Sequence, residues 1–269
     1  MRFIGCIAAI SALFAIPAGA ATGDLLVAPT RIVLNGARGT EVILNNIGSE
    51  PATYRISLEL RRMKADGTLD DVIIAEASPT EASALAMISY APRRIVLAPN
   101  EPQAIRIGIR APQGLPDGEY RAHMLFRAIP DARPVTADAA PEGGLSIALT
   151  PIYGVTIPII IRKGSLKATA GMSDARLITT EDGGALALNL SRTGERSTYG
   201  RIRVYKQGQG KPLFEAGGVA IYAEVAARAV EIGLPPEAMA ALKGPVTIQY
   251  VEDVEAGGKL LAELQTVLR

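Results

Sequence analysis

Few residues in this sequence have the types and spacing that catalysis or metal binding requires. The one histidine, His123, lies between Arg121 and Arg127 on the polar side of a predicted strand, and this predicts a surface position. A serine hydrolase would place that histidine beside a nucleophile, but no G-x-S-x-G elbow is present. Zinc sites need several cysteine or histidine ligands. The sequence therefore predicts no catalytic residue and no metal site.

The carboxylates and glycines give no stronger sign of an active site. Asp70-Asp71 and Glu252-Asp253 are neighbouring pairs in turn-like contexts, where carboxylates are usually solvated. The glycines at 217–218 and 257–258 match neither a phosphate-binding loop nor a dinucleotide fingerprint. An enzyme is the weaker hypothesis, and we expect no cofactor and no small-molecule substrate. An exported hydrolase that uses His123 stays open as an alternative.

The first 20 residues have the pattern of a secretory signal. Arg2 precedes an apolar run over 3–16, and Ala18-Gly19-Ala20 forms a small-residue cleavage site, so we expect the mature chain to begin at Ala21. An uncleaved membrane anchor is the alternative, but an apolar run of about 14 residues is shorter than the roughly 20 that span a bilayer. The pattern predicts an exported protein.

Composition argues against several classes of partner and of chemistry. The chain has 28 basic and 27 acidic residues, and Arg2 is the one charged residue of the predicted signal, so the exported chain has no net formal charge. Tryptophan is absent and aromatic residues make up 4%, which leaves no stacking platform for nucleic acid. The only cysteine, Cys6, lies in the predicted signal. We expect no nucleic-acid partner and no disulfide.

The elements after the signal are short runs of alternating apolar and polar residues, separated by Gly, Pro, Asn and Asp. This pattern is typical of an all-β sandwich protein. No predicted helix is long enough to cover a parallel sheet. The length suffices for two cores, and the composition changes at Lys163-Gly164-Ser165. We therefore expect a signal at 1–20 and two β-sandwich domains at 21–163 and 164–269.

The longest predicted strand runs from Leu145 to Arg162. Leu145, Ile147 and Leu149 alternate with small or polar residues, and a second apolar set follows after a break at Pro151–Gly154. A strand of this length extends beyond its own sheet. Its first part has none of the lysines, prolines or bulges that usually protect an exposed edge. Either another part of this chain covers the edge, or a partner chain pairs with it.

Five pieces of sequence occur in the order and spacing of a known family. They are Pro29–Ile32, Val42–Pro51, Pro92–Ile107, Leu115–Tyr120 and Ala128–Pro130. Together they resemble the periplasmic pilus chaperones of the PapD type, in which two immunoglobulin-like sandwiches meet at an angle. The resemblance covers about residues 24–163, and the second half matches only in β pattern and size. It implies an all-β protein of two immunoglobulin-like β-sandwich domains.

The same resemblance implies a function. Chaperones of this family act in the periplasm, where they lend the long edge strand to an incomplete pilus subunit by donor-strand complementation and deliver the subunit to an outer-membrane usher. Leu145, Ile147 and Leu149 have the alternation that a donor strand needs. In the alternative interpretation, these three side chains face the core of their own domain.

The family also implies an anchor for the subunit. An arginine of the first strand and a lysine of the long strand bind the C-terminal carboxylate of the subunit between the domains. Arg31 matches the arginine, and the alternative is an outward-facing arginine in a surface ion pair. Counted back from Arg162, the lysine position falls at Pro158, so this is a divergent branch. Candidates for the second charge are Arg93, Arg94, Arg121 and Lys163.

The competing hypothesis from another class is a two-domain, immunoglobulin-like surface or adhesive protein. Such a protein would gain from stabilising cysteines or from an N-terminal donor extension. The sequence predicts neither, because the first predicted strand begins within a few residues of the predicted cleavage site. The chaperone is therefore the favoured hypothesis.

Overall fold

The computed structural model describes residues 24–36, 39–130, 152–181, 183–206 and 208–269. Almost all regular structure in these ranges is β-strand. The strands are β1 (Leu25–Ala28), β2 (Ile32–Asn35), β3 (Gly39–Asn46), β4 (Ala52–Met63), β5 (Leu69–Val72), β6 (Ile88–Ala91), β7 (Arg94–Leu97), β8 (Gln103–Ile109), β9 (Gly118–Ile129), β10 (Gly154–Lys163), β11 (Ala168–Thr180), β12 (Gly183–Gly194), β13 (Thr198–Lys206), β14 (Phe214–Ile221), β15 (Ala227–Leu234), β16 (Gly244–Glu252) and β17 (Leu260–Leu268). The helices are α1 (Pro79–Met87) and α2 (Pro236–Leu242).

Strands β1 to β10 form the first sandwich. One sheet has the order β1-β3-β8-β6, and the other has the order β2-β10-β9-β4, with β5 and β7 both paired to β4. Val42 and Ile105 from the first sheet and Phe126 and Ile159 from the second have no exposed surface. They belong to one continuous cluster, so both sheets face a common core.

The first predicted strand, Asp24–Leu34, is divided between the two sheets. Strand β1 pairs antiparallel with β3, and β2 pairs parallel with β10. Pro29 lies at the crossover between them, where a residue without an N–H group interrupts no ladder. This agrees with the sequence, in which a proline inside a strand pattern indicates an edge or such a crossover.

The segment before β6 differs from the sequence prediction. Alternation predicts a loop or a short helical turn over 76–86 and one strand over Met87–Leu97. Instead, the chain forms α1, whose first turn is closed by a capping box between Ser78 and Glu81. Strands β6 and β7 then enter different sheets. Alternation alone does not show where a strand leaves one sheet for the other.

Strands β11 to β17 form the second sandwich. Its sheets have the orders β11-β12-β15 and β14-β13-β16-β17. Leu186, Ile202, Ile248 and Tyr250 are completely buried between them. Helix α2 follows Pro235 and ends before Gly244, in keeping with the preference for proline in the first turn of a helix and glycine just after its end.

The predicted all-β fold of two sandwiches is confirmed. The division into domains at 21–163 and 164–269 stays a prediction. The two sandwiches contact one another through a buried cluster of Met63 and Ile160 from the first with Ala220 and Tyr222 from the second. A backbone hydrogen bond from Ala229 N to Ala65 O, at 2.8 Å, joins them as well.

Candidate functional site

A cleft of about 690 Å³ lies where the two sandwiches meet. The first sandwich contributes Arg31, from the crossover before β2, and Arg162, from the end of β10. The second contributes Arg196, Tyr199 and Glu252. The cleft therefore brings residues from both sandwiches together.

Arg31 has an unusual environment for a cation. Its guanidinium carbon lies 4.2 Å from the ring centre of Tyr199 and 5.7 Å from that of Tyr222. One terminal nitrogen is buried without a hydrogen-bond partner, and no acidic side chain of the described residues forms an ion pair with Arg31. Burial lowers the pKa of Arg31, but an arginine side chain still remains protonated in proteins. Its positive charge therefore has cation–π contacts with two tyrosine rings but no carboxylate that neutralises it among the described residues.

The other ionised groups of the cleft wall have partners. Arg196 binds Glu252 at 2.9 Å, and Arg201 lies 3.5 Å from Asp253. Both pairs belong to the second sandwich. Arg31 is thus the cleft cation without an acidic partner within the described part of the chain.

Arg162 forms a link between the two sandwiches. Its Nε donates to Glu119 at 2.9 Å, and a terminal nitrogen donates to the Ser197 carbonyl at 3.2 Å. Glu119 Oε2 also accepts hydrogen bonds from the N–H and the hydroxyl of Ser197, both at 3.0 Å. The carboxylate of Glu119 is 1% exposed, so this network holds Arg162 in a fixed orientation at the cleft.

The four candidates for a second charge lie elsewhere. Arg121 forms an ion pair with Glu224 at 2.5 Å, and Lys163 forms one with Asp117 at 2.8 Å. Arg93 lies over the ring of Tyr90. The remaining candidate, Arg94, is exposed on β7. None of the four lines the cleft as the structure describes it. Arg162, which the sequence placed only at the strand end, is the first-sandwich cation that shares the cleft with Arg31.

Pro158 occupies the position expected from the family pattern. The parallel register pairs Ile159 with Ile32, so Pro158 lies level with Arg31 on the neighbouring strand. A lysine at this position would place its charge beside Arg31. The cation at Arg162 lies further along β10 instead.

His123 is buried, and the predicted surface position is wrong. The side chain lies on the face of β9 opposite to the core, as the alternation indicates, but the second sandwich covers that face. Only 2% of the residue is exposed, and its ring meets Tyr222 edge-on at 6.4 Å between centres. Neither ring nitrogen has a hydrogen-bond partner within the described structure. Burial lowers the pKa of His123 to about 3, and the charges of Arg121, Arg61 and Arg31 contribute to the lowering.

The donor-strand residues Leu145, Ile147 and Leu149 lie outside the described residues. The strand that follows them is described from Gly154. Strand β10 pairs with β9 along its whole length, but β2 pairs only with Ile159–Arg162. The other edge of β10 at 154–158 therefore has no strand partner in the described part of the chain.

Several contributors to the site were missed by sequence reasoning. Tyr199 and Tyr222 come from the second sandwich, and Ser197 is the partner of Glu119 across the interface. All three lie in the half that resembles the family only in its β pattern. Glu119 had no usable signal, because a carboxylate needs a partner only when it is buried, and the structure alone shows that Glu119 is buried.

The described residues contain no helix with the length and hydrophobicity needed to cross a membrane. Nor does the described part of the chain hold three or more His, Cys, Asp or Glu side chains grouped to bind a metal ion.

Solved structures align with most of the chain. The E. coli chaperone DraB covers 91% of this chain and 96% of its own, with 15% identity and a TM-score of 0.45. A chain of the Acinetobacter baumannii CsuC–CsuE chaperone–tip adhesion subunit pre-assembly complex covers 91% and 99%, with 14% identity and a TM-score of 0.47. A chain of the Salmonella enterica SafA pilin–SafB chaperone complex covers 91% and 97%, with 17% identity and a TM-score of 0.41. No family model and no curated protein matches the sequence. These three solved structures are what the chain is similar to over most of its length.

Proposed function

We propose that this protein is a periplasmic chaperone that binds pilus subunits, stabilises them by donor-strand complementation and delivers them to an outer-membrane usher. The observation that carries the proposal is the state of Arg31. It lies in a cleft between two sandwiches, keeps its charge, and has no acidic partner among the described residues.

A C-terminal carboxylate is the ligand that best suits this arrangement. The planar fork of a guanidinium matches the two oxygens of a carboxylate, and a charge-assisted pair of this kind is among the stronger hydrogen bonds in proteins. Tyr199 holds the guanidinium plane from one side. Arg162 lies in the same cleft, but its charge is paired with Glu119, so Arg31 supplies the positive charge that has no acidic partner among the described residues. A chain end also reaches a cleft more readily than the middle of a folded segment does.

The unpaired edge of β10 supports the donor-strand part of the proposal. Backbone groups on an unpaired edge can hydrogen-bond to a strand from another chain. The edge at 154–158 directly follows the segment that contains Leu145, Ile147 and Leu149. We propose that this segment is the donor strand and that its three apolar side chains enter the core of the subunit.

The anchor can be tested with the C-terminal peptide of a β-rich subunit encoded beside this chain, made as the free acid and as the amide. Arg31→Ala should weaken binding of the free acid by about 10- to 100-fold, because a hydrogen bond to a charged group contributes roughly 1.5–3 kcal/mol. Amidation of the peptide should cost a similar factor. The two changes together should cost little more than either one alone, because they remove the same interaction. Titration calorimetry measures all four combinations.

Arg106→Ala is the matched control. Arg106 is an exposed arginine of the first sandwich that pairs with Glu41 at 3.3 Å, away from the cleft lining. The Arg106→Ala variant should bind the free-acid and the amidated peptide with the same affinities as the unchanged protein. Fully additive losses from Arg31→Ala and amidation would show that Arg31 and the carboxylate act independently, and the proposed anchor would then be wrong.

A further inference from the structure

Three exposed arginines form a row across the first sandwich. Arg94 on β7 lies directly opposite Arg55 on β4, and Arg55 lies directly opposite Arg127 on β9. Gly154 of β10 is the next residue in the row. Directly opposed residues project to the same face of a sheet, so the three side chains stand side by side. We call these three residues the arginine row.

The arginine row lacks a counter-charge. No ion pair or hydrogen bond involves any of its three side chains in the described part of the chain. Other arginines of this sandwich, such as Arg61, Arg62 and Arg106, each have an acidic partner. Like charges directly opposite one another on neighbouring strands repel. The arrangement therefore works against the stability of the free sheet, and a role in binding accounts for the three charges being together.

The surface around the row is partly apolar. Val96, on the same face of β7, is 58% exposed. Ile129 and Leu125, which flank Arg127 on the same face of β9, are half-buried. A surface that alternates apolar side chains with cations matches an amphipathic polypeptide segment better than it matches a uniformly charged polyanion.

The row is continuous with the cleft. On β9, Arg127 and His123 lie on the same face and are separated by Leu125, and His123 pairs with Pro158, which lies level with Arg31. Alternate residues of a strand are roughly 6.6 Å apart, so about 13 Å separates the row from the level of Arg31. A partner bound at the cleft can therefore reach the row as well.

We infer that the arginine row binds an extended, acidic segment of the subunit captured at the cleft, and that it favours subunits with carboxylates at alternate positions. This inference rests on the proposed function. Neighbouring strands are about 4.8 Å apart, so the row spans roughly 10 Å from Arg94 to Arg127. Alternate side chains of an extended segment are about 6.6 Å apart, which is more than the spacing of the neighbouring arginines. The long, flexible arginine side chains can reach across this difference in spacing. Electrostatic pairing of this kind mainly raises the association rate and the specificity.

The test uses a fluorescein-labelled peptide, Asp-Val-Asp-Val-Asp-Val, with an amidated C terminus, so that it offers no terminal carboxylate to Arg31. A variant with Arg55→Gln, Arg94→Gln and Arg127→Gln should bind this peptide about tenfold or more weakly at low ionic strength, and its binding should depend less on salt. Its melting temperature should stay the same or rise, because the repulsion within the row is removed. Fluorescence anisotropy and thermal unfolding measure the two effects.

The control variant carries Arg106→Gln, Arg110→Gln and Arg176→Gln. These arginines are exposed and lie outside the row, and the change in net charge is the same. The control should bind the acidic peptide like the unchanged protein. Equal weakening in both variants would mean that only net charge matters and would overturn the inference. The inference would also be overturned if the row variant still bound the peptide but no longer bound phosphatidylglycerol vesicles.

Two further variants test whether the row binds carboxylates of this chain and whether the peptide depends on the cleft. In the first variant, Asp131, Asp138 and Glu142 are replaced by their amides. If the acidic peptide binds only to this variant, the row binds carboxylates of this chain, and the inference is wrong. In an Arg31→Ala background, the three row substitutions should still weaken binding of the amidated peptide about tenfold or more. A failure of the cleft anchor with free-acid subunit peptides would therefore not affect this assay, and the two proposals can fail separately.

Discussion

Two ionisable side chains of the first sandwich, Arg31 and His123, lie beside Tyr222 and respond to burial in different ways. The pKa of an arginine side chain in water is so high that burial leaves it charged. The guanidinium of Arg31 forms cation–π contacts with the rings of Tyr199 and Tyr222. Histidine starts near neutrality, so the same surroundings keep it neutral, with a pKa of about 3. One wall of the interface thus holds both a permanent cation and a neutral histidine ring.

The neutral state of His123 predicts a loss of stability in acid. Its pKa is about 3 in the folded protein and 6.5 in the unfolded chain. Between these values the unfolded chain binds the proton and the folded chain does not, so the free energy of unfolding falls as the pH falls from about 6.5 towards 3. Between pH 7 and pH 5 this group alone should cost about 2 kcal/mol. Urea unfolding at both pH values measures the change.

His123→Gln provides the comparison for this prediction. The chain has no other histidine, so the variant removes the whole histidine contribution and leaves that of the carboxylates. Its free energy of unfolding should change less between pH 7 and pH 5, by about 2 kcal/mol. Identical changes in both proteins would show that His123 titrates normally in the folded state.

At the scale of the element, β10 has two kinds of edge. Ile159–Arg162 lie between β2 and β9, whereas 154–158 have a described partner only in β9. Ile157 and Ile159 point into the core of the first sandwich and are almost completely buried. The strand therefore contributes to its own core from Ile157 onward, and in the described part of the chain its unpaired edge ends where β2 begins.

Ile147→Asp should separate stability from binding. If Ile147 belongs to the donor strand, the change should leave the free energy of unfolding nearly unaltered and abolish subunit capture, because the complex would bury an uncompensated charge at a cost of several kcal/mol. Denaturant unfolding of the free protein and co-purification with a subunit measure the two properties.

Ile157→Asp is the control for the same strand. Ile157 is 1% exposed in the core, so this change should destabilise the free protein strongly. If Ile147→Asp also lowers the free energy of unfolding by about 2–5 kcal/mol, then Ile147 belongs to the core of its own sandwich, and the donor-strand model fails at this residue.

At the scale of the whole molecule, polar contacts hold the two sandwiches at one relative orientation. Arg121 binds Glu224 across the interface and stacks on Tyr222 at 3.6 Å. Glu224 also accepts a hydrogen bond from the Met63 N–H at 2.8 Å. These contacts and the network of Glu119 join the same two sandwiches as the apolar cluster around Ile160.

A double-mutant cycle on Arg121→Ala and Glu224→Ala should give a coupling free energy above about 1 kcal/mol, because the side chain of Arg121 is only 9% exposed and the pair is poorly screened. The matched pair is Arg106 and Glu41, whose side chains are 84% and 52% exposed. Its coupling should stay below about 1 kcal/mol. Urea unfolding of the unchanged protein and of the variants in each cycle measures both couplings. Equal coupling in the two pairs would mean that the interface pair does not help to fix the orientation.

The sequence by itself determined most of the strand segments and that they form sandwiches. Alternation is a local property, because the pleat turns successive side chains to opposite faces. The alternation of Tyr54, Ile56, Leu58 and Leu60 with polar residues predicts the strand Ala52–Met63, and Pro29 marked the point where the chain changes sheets. The motif around Arg31 also identified the residue that the structure places in the cleft.

Only the tertiary structure decided what covers each polar face and which charges meet. Alternation placed His123 on the face away from the core, but it carries no information about a second sandwich that packs on that face. The partner of Arg162 is Glu119, and the network continues to Ser197 in the other sandwich, so it joins residues far apart in sequence. Contacts of this kind depend on how two sandwiches dock, and docking is a property of whole surfaces rather than of local sequence patterns.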